Sequence, residues 1–247
     1  MPSVVALVRP PKNLEAVSKL LAAEAGFAPA EARMRLAGEP PLLLVRWEDE
    51  RAEALAASLR GTGEAAVSCP LPPPGDADRL VCRTFRLAPG AVELSPRLGP
   101  PLVLPDGQLR LVLRGLRVQR ESKVRVEKER KFDLGKAIMT QGLMLTSEKK
   151  REVQTEVEEA EGFVFLYSDA GGAALYEAEV AFTSLGAQVR PSRHENLDLV
   201  VRLLRERSPA ALYDDRLIRL GKRSAPFDPG RSVDLYAEIL RRGLLGG

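Results

Sequence analysis

The chain has 247 residues, of which 45% are hydrophobic, 29% are charged and 5% are aromatic, and its formal net charge is +3. This length suits one large domain or two modest ones, and the apolar fraction excludes a mainly disordered chain because it is sufficient to build a hydrophobic core. Two cysteines and one histidine exclude a disulfide scaffold and leave too few ligands for a zinc site. We therefore expect neither a metal nor another cofactor.

The first seventy residues predict the order β-α-α-β-α-β. A short apolar strand comes first, and apolar residues at helical spacing then indicate a helix that ends at Gly26. Pro29 occupies the first-turn position that proline favours in a second helix. The predicted strands are residues 4–8, 42–45 and 65–67, and the predicted helices are residues 13–25, 29–37 and 49–61.

The stretch from Leu14 to Val67 resembles the C-terminal domain of the bacterial ribosomal stalk protein, whose fold is shared with the ClpS adaptor. The residues that carry the resemblance are Val17, Lys19, Leu21, Ala25, Gly26, Phe27, Glu31, Ala32, Arg33, Pro41, Ala52, Glu53, Ala54, Leu55, Leu59, Gly63 and Val67. The resemblance implies a small docking domain rather than an enzyme. The stalk domain binds translation factors through a basic surface on its first two helices, and Lys19 and Arg33 match that surface. Ala22 and Ala30 stand where the stalk domain has basic residues.

A proline-rich segment at 71–78 divides the chain. Consecutive prolines at 72–74 remove backbone hydrogen-bond donors and favour an extended backbone, which indicates a semi-rigid connector. Up to residue 78 there are 8 lysines and arginines against 11 acidic residues, a net charge of −3, and after it there are 29 against 23, a net charge of +6. We therefore predict a docking domain at 1–70, a linker at 71–78 and a second domain at 79–247.

The second domain is predicted to be β-rich. Period-two alternation and short apolar runs indicate strands throughout its first hundred residues, although the last of these segments is also compatible with a helix. Asp106 and Gly107 lie between two apolar runs, which predicts a β-hairpin. The predicted strands are residues 81–87, 91–94, 102–104, 108–113, 123–128, 153–157, 163–167 and 176–182.

Two helices are predicted after these strands. Ser192 and Glu195 have the spacing of a capping box, which predicts a helix start, and apolar residues indicate a short docking helix at 232–245. A series of strands followed by one amphipathic helix is the order of a pleckstrin-homology-like barrel. The predicted class is therefore α+β, with a small ClpS-like domain followed by a β-rich, pleckstrin-homology-like domain that a C-terminal helix closes.

Few residues suggest catalysis. His194 is the only imidazole, and its predicted place at a helix start is typical of a surface residue. Lys136 does not complete a Walker phosphate loop, because Ala137 follows it. Acidic pairs at 158–159 and 214–215 support an enzyme only if acidic side chains converge in one pocket. The sequence therefore favours a protein that is not an enzyme.

A basic segment from Arg114 to Lys136 contains 9 lysines and arginines against 4 acidic residues. If residues 123–128 form a strand, they present a row of charged side chains on one face. That row either pairs with the acidic stretch at 152–161 or captures an acidic peptide by strand addition. The apolar segment at 134–145 contains two of the four methionines, and is either a flexible contact surface or folded onto the domain. The candidate partner-binding residues are Arg120, Lys123, Arg125, Lys128, Arg130, Lys131, Lys136, Ile138, Met139, Leu143 and Met144.

These features predict a protein that binds a peptide or protein partner, with an acidic peptide and a second copy of the chain as candidates. The order of the domains resembles peptide-binding accessory proteins of bacterial pathways to ribosomally made peptide natural products such as crocagin. That resemblance implies binding a precursor peptide and presenting it to a maturation enzyme. The alternative is a nucleic-acid-associated protein that uses residues 114–136, but the low net charge and few aromatics argue against it. The apolar start is too short for a signal peptide and no run reaches the length of a membrane span, so we expect a cytoplasmic protein.

Overall fold

The computed structural model describes residues 1–132, 146–223 and 225–246, and for 119–132, 146–159 and Pro229 it describes the backbone alone. Contacts divide the chain into two compact units, Met1–Arg117 with Glu161–Gly247, and Val118–Ala160. Helices and sheets both occur, which confirms the predicted α+β class. Within the described residues, none of the helices combines the length and apolar character that a membrane span requires.

The bounds of the regular elements are as follows. The strands are β1 (Pro2–Leu7), β2 (Leu42–Glu48), β3 (Ala66–Pro70), β4 (Leu80–Ala88), β5 (Ala91–Pro96), β6 (Leu102–Pro105), β7 (Leu109–Phe132), β8 (Thr146–Ser168), β9 (Gly171–Tyr176) and β10 (Leu212–Asp214). The helices are α1 (Leu14–Ala25), α2 (Pro29–Leu36), α3 (Asp49–Gly61), α4 (Arg193–Arg207), α5 (Leu217–Leu220) and α6 (Ser232–Leu245).

The first sheet has the strand order β2-β1-β3, and both neighbours of β1 are antiparallel to it. The elements β1 to β3 and α1 to α3 follow one another in the predicted β-α-α-β-α-β order, which is therefore confirmed. Val5 and Leu7 face a core shared with α1, α2 and α3, which we call the helical core. Val4 and Ala6 face a second core, the middle core, on the other side of the sheet. Since β1 is buried on both faces, its sequence is a continuous apolar run rather than an alternating one.

The second sheet has the order β10-β7-β8-β9-β4-β5-β6. On β8, Phe163 and Phe165 face the middle core together with α6, whereas Val164 and Leu166 face an outer core that α4 covers. The middle core also contains Leu71 from the linker, so residues on both sides of the linker share it. The predicted boundaries at 1–70, 71–78 and 79–247 stay a prediction.

The hairpin predicted at Asp106 and Gly107 is wrong. β6 pairs with β5, whereas β7 lies between β10 and β8. The turn itself exists, since Gly107 has a φ of 82°, but its N–H donates to the Arg207 carbonyl and to Ser208 Oγ, both at 3.1 Å. The Arg207 guanidinium also donates to Asp106 at 3.2 Å. The turn is therefore bound to the end of α4 instead of closing a two-stranded ladder.

The strand predicted at 176–182 is also wrong, because β9 ends at Tyr176. Beyond it, the N–H groups of Glu179 and Val180 both donate to the Tyr176 carbonyl at 3.0 Å, so the chain turns at the end of β9. The two predicted helices are confirmed. Ser192 and Glu195 form the expected capping box at the start of α4, and α6 covers 232–245.

Candidate functional site

Arg79 anchors the linker to the rest of its unit. Its guanidinium donates to the Gly75 carbonyl at 3.1 Å and to the Pro74 carbonyl at 3.2 Å, and it forms an ion pair with Asp234 at the start of α6. The Arg79 side chain is 7% exposed and its guanidinium lies 4.0 Å from the centroid of the Phe165 ring on β8. One buried side chain thus fixes the linker backbone against both β8 and α6.

Carboxylates on the linker complete this attachment. Asp76 accepts a hydrogen bond from the Tyr176 hydroxyl and lies 3.3 Å from the Arg79 guanidinium. Burial, reinforced by the hydrogen bond to Asp76, raises the pKa of Tyr176 above its ordinary value. Asp78 accepts from the Gly75 N–H at 2.8 Å, which closes a tight turn of the linker on itself. These contacts give the linker a fixed conformation on the surface of the unit.

Three adjoining depressions follow the linker, and we call them together the linker trough. The first, of about 350 Å³, lies between the linker, Tyr167 and α6. The second, of about 440 Å³, lies between the linker, Gly171 and the start of β6. The third, of about 420 Å³, lies between β4 and the loop that contains Leu98. Arg79 lines all three depressions, and the first and second also share Asp78 and Gly171.

Apolar side chains line each part of the trough. Pro74 and Leu245 line the first depression, Leu102 lines the second, and Leu98 lines the third. The Leu98 side chain is 87% exposed. Burial of this side chain against an apolar group of a ligand would make the free energy of binding more favourable. The three depressions therefore present apolar side chains at separate points beside the linker.

The Tyr167 end of the trough combines an aromatic ring with charged groups. The Arg241 guanidinium lies 5.9 Å from the centroid of the Tyr167 ring and donates two hydrogen bonds of 2.7 Å to Glu238. Arg242 donates a third hydrogen bond to Glu238, also of 2.7 Å. Burial alone would raise the pKa of Glu238, but these hydrogen bonds outweigh it and hold that pKa below its ordinary value. Glu238 is therefore a charged, buried carboxylate that two arginines share.

The structure gives His194 more contacts than its interpretation as an ordinary surface residue implied. Its side chain is 56% exposed, yet Nδ1 lies 3.3 Å from the guanidinium of Arg114 and 3.5 Å from the carboxylate of Glu177. Its Nε2 lies 3.5 Å from the carboxylate of Asp198, one helical turn further along α4. Arg114 itself is buried and binds the Phe163 carbonyl at 3.2 Å. This cluster joins the start of α4 to β7 and β8.

Acidic side chains converge beside the His194 cluster, although they are not the acidic pairs named from the sequence. Glu161 accepts from Arg117 at 2.7 Å. The predicted pairing of the acidic stretch with the charged row at 123–128 stays a prediction, because the side chains of that row lie outside the described part of the structure. Glu179 pairs with Arg83 at 3.0 Å and lies 3.7 Å from Arg117. Each of these carboxylates is therefore bound by at least one guanidinium. Within the described ranges, no three histidine, cysteine or acidic side chains are placed to hold a metal ion.

The predicted partner-binding residues all lie where the structure describes no side chains. The backbone of six of them lies on β7, where their side chains are outside the described part of the structure: Arg120, Lys123, Arg125, Lys128, Arg130 and Lys131. The other five lie outside the described residues altogether: Lys136, Ile138, Met139, Leu143 and Met144. Their role in binding stays a prediction.

The sequence pattern did not single out the residues of the trough. The only sequence feature that marked this region was the run of prolines at 72–74, and it predicts a connector rather than part of a binding surface. Leu98 lies in a loop rich in glycine and proline, and Tyr167 ends an apolar strand, so both fit ordinary structural patterns. Their common location follows from the sheet order, which places the turn after β8 beside the start of β4.

The chain matches no family model, no curated protein and no solved structure. The ClpS-like and pleckstrin-homology-like resemblances therefore stay predictions, and the function is inferred from the geometry of the described residues.

Proposed function

We propose that this protein binds an extended segment of a peptide or protein partner in the linker trough, without transforming it. The observation that carries the proposal is that the three depressions adjoin one another along the linker and share Arg79 in their linings. Adjoining subsites suit a ligand that presents successive side chains from one backbone, whereas a small metabolite is usually enclosed in one cavity.

The contacts of the linker support this proposal. Binding is more favourable when the receiving surface is already ordered, because less conformational entropy is lost on association. Arg79 holds two linker carbonyls and Asp234 at the same time, and Asp76 binds Tyr176 on β9. The floor of the trough is thus fixed by buried contacts before any partner arrives.

The proposal extends to an accessory role. A protein that holds a peptide in an open trough leaves part of that peptide accessible to a second protein. Together with the resemblance to accessory proteins of peptide natural product pathways, this favours a precursor peptide as the ligand and a maturation enzyme as its recipient.

Substitution of Leu98 by serine tests the binding surface. Short peptides enriched from a randomised displayed library would be labelled and their affinities measured by fluorescence anisotropy. We expect Leu98→Ser to weaken binding about tenfold, because burial of one leucine side chain contributes about 1.5–3 kcal/mol. Met34→Ser is the matched control, since Met34 is a 78% exposed apolar residue on α2, outside the trough.

The proposal fails if the library yields no peptide that binds the protein. It also fails if Leu98→Ser and Met34→Ser leave the affinities of the enriched peptides equally unchanged. Thermal unfolding of both variants should match that of the wild type, because both side chains are exposed.

A further inference from the structure

Most charged side chains that line the linker trough already have a partner of opposite charge within the protein. The paired charges are Arg79 with Asp76 and Asp234, Arg83 with Glu179, and Arg241 with Glu238. Because each of these charges is balanced by its neighbour, they exert little net attraction on a charged ligand. The selection of a ligand by charge therefore depends on the side chains that have no such partner.

Two charged side chains of the trough form no ion pair with the part of the chain that the structure describes. Asp78 is exposed, and its carboxylate accepts only from the Gly75 N–H, at 2.8 Å. Arg97 is exposed as well, in the loop before β6. Asp78 lines the first and second depressions, whereas Arg97 lines the third. The trough thus offers one unpaired negative charge and one unpaired positive charge in different depressions.

Resting on the proposed peptide trough, we propose that its ligand is a segment with side chains of both signs. A lysine or arginine of the segment pairs with Asp78, and a glutamate or aspartate pairs with Arg97. Exposed ion pairs contribute little to affinity, but charges of opposite sign across an interface fix the register of the two partners. Leu98 lines the same depression as Arg97, so the acidic residue lies near the apolar group that contacts Leu98.

A segment with charges of a single sign suits the trough less well. An acidic segment would pair with Arg97 but would also meet Asp78, and a basic segment would meet the reverse combination. Like charges at contact distance repel each other, which offsets the attraction gained at the other position. A nucleic-acid strand is disfavoured for the same reason, because it carries a negative charge at every phosphate.

Peptide pools with two fixed positions test this pairing. The peptides would have acetylated and amidated ends, with lysine and glutamate fixed at a series of spacings, in both orders, among mixed neutral residues. Pools with two lysines, two glutamates or two glutamines at the same positions are the comparison. We expect the lysine–glutamate pool of the best spacing to bind the wild type about fivefold more tightly than the glutamine pool, as two exposed ion pairs allow.

Removal of one charge at a time locates the two contacts. Arg97→Gln should abolish the preference for glutamate over glutamine and retain the preference for lysine, and Asp78→Asn should do the reverse. Asp78→Asn keeps a side-chain oxygen that can accept from the Gly75 N–H, so the turn of the linker is retained. Arg33→Gln is the matched control and should leave both preferences unchanged, since Arg33 is exposed on α2, outside the trough.

Equal affinity of the lysine–glutamate and glutamine pools at every spacing would overturn the pairing and leave the trough intact. Tightest binding by a pool of single sign, or by a glutamine pool with free ends, would overturn the assignment to two side chains of opposite charge. Equal loss of the glutamate preference in Arg33→Gln and Arg97→Gln would overturn the contact assigned to Arg97. Absence of binding by every pool would overturn the trough together with the pairing.

Discussion

Single residues, rather than a repeated motif, hold the candidate site together. Arg79 is the clearest example, since one guanidinium binds two main-chain carbonyls, a carboxylate and an aromatic ring. A lysine keeps the charge but has neither the planar face nor the spread of donors that these four contacts need. The sequence around Arg79 carries no pattern that indicates such a role, because two of its partners, Phe165 and Asp234, lie far along the chain in β8 and α6.

Arg79→Lys is expected to lower the free energy of unfolding by about 1–3 kcal/mol, because it leaves a half-buried carboxylate and two linker carbonyls without their hydrogen-bond donor. Chemical denaturation monitored by circular dichroism measures the change. Arg97→Lys is the matched control, since Arg97 is exposed. Equal stability of the two variants would show that Arg79 does not anchor the linker.

Glu238 is expected to make stability depend on pH. Its pKa in the folded protein lies below its ordinary value, so its ionised form stabilises the fold above the pKa of the unfolded chain, about 4.3. That stabilisation is lost as the pH falls through the folded pKa. The free energy of unfolding should therefore fall less steeply for Glu238→Gln than for the wild type as the pH decreases from about 5 to about 2.

Urea denaturation at a series of pH values measures this dependence. Glu24→Gln on α1 serves as the control, because Glu24 is exposed and its removal should leave the pH profile parallel to that of the wild type. Parallel profiles for Glu238→Gln and the wild type would contradict the role assigned to the two arginines.

At the scale of elements, a glycine in α6 permits its close approach to Val8, the residue that follows β1. A Cβ atom on Gly243 would lie 2.2 Å from Cγ2 of Val8 and 2.9 Å from its Cβ atom. We expect Gly243→Ala to lower the free energy of unfolding by about 1–3 kcal/mol, as overpacking outweighs the higher helix propensity of alanine. Gly61→Ala in α3 is the control, since a Cβ atom there meets nothing within 4 Å and alanine should be neutral or stabilising.

Helix ends could be predicted from the sequence where contacts between neighbouring residues determine them. The capping box at Ser192 and the glycine stop at Gly26 depend on residues within one turn, and both were predicted correctly. The hairpin at Gly107 was predicted incorrectly. The sequence identifies the turn residues, but it does not show which strands pair with β7. A two-residue turn favours a hairpin when the two strands beside it pair with each other. Here the Gly107 N–H donates instead to groups at the end of α4.

At the scale of the whole molecule, the candidate site could not be predicted because its parts are distant in the sequence. Hydrophobic periodicity shows which face of a strand is buried, but not which strand lies beside it. The trough combines the linker with the turn after β8, the loop before β6 and the last turn of α6. The basic segment and the apolar segment at 134–145, which the sequence favoured as contact surfaces, contribute no residue to its lining among the described side chains.

Photo-crosslinking from the trough tests its role in peptide binding most directly. The protein would carry p-benzoylphenylalanine at position 98 or, as the control, at position 34, and would be irradiated with the peptides enriched from the displayed library. We expect covalent attachment of peptide from position 98, competed by unlabelled peptide, and none from position 34. Equal labelling from the two positions, or labelling from position 34 alone, would contradict binding in the linker trough.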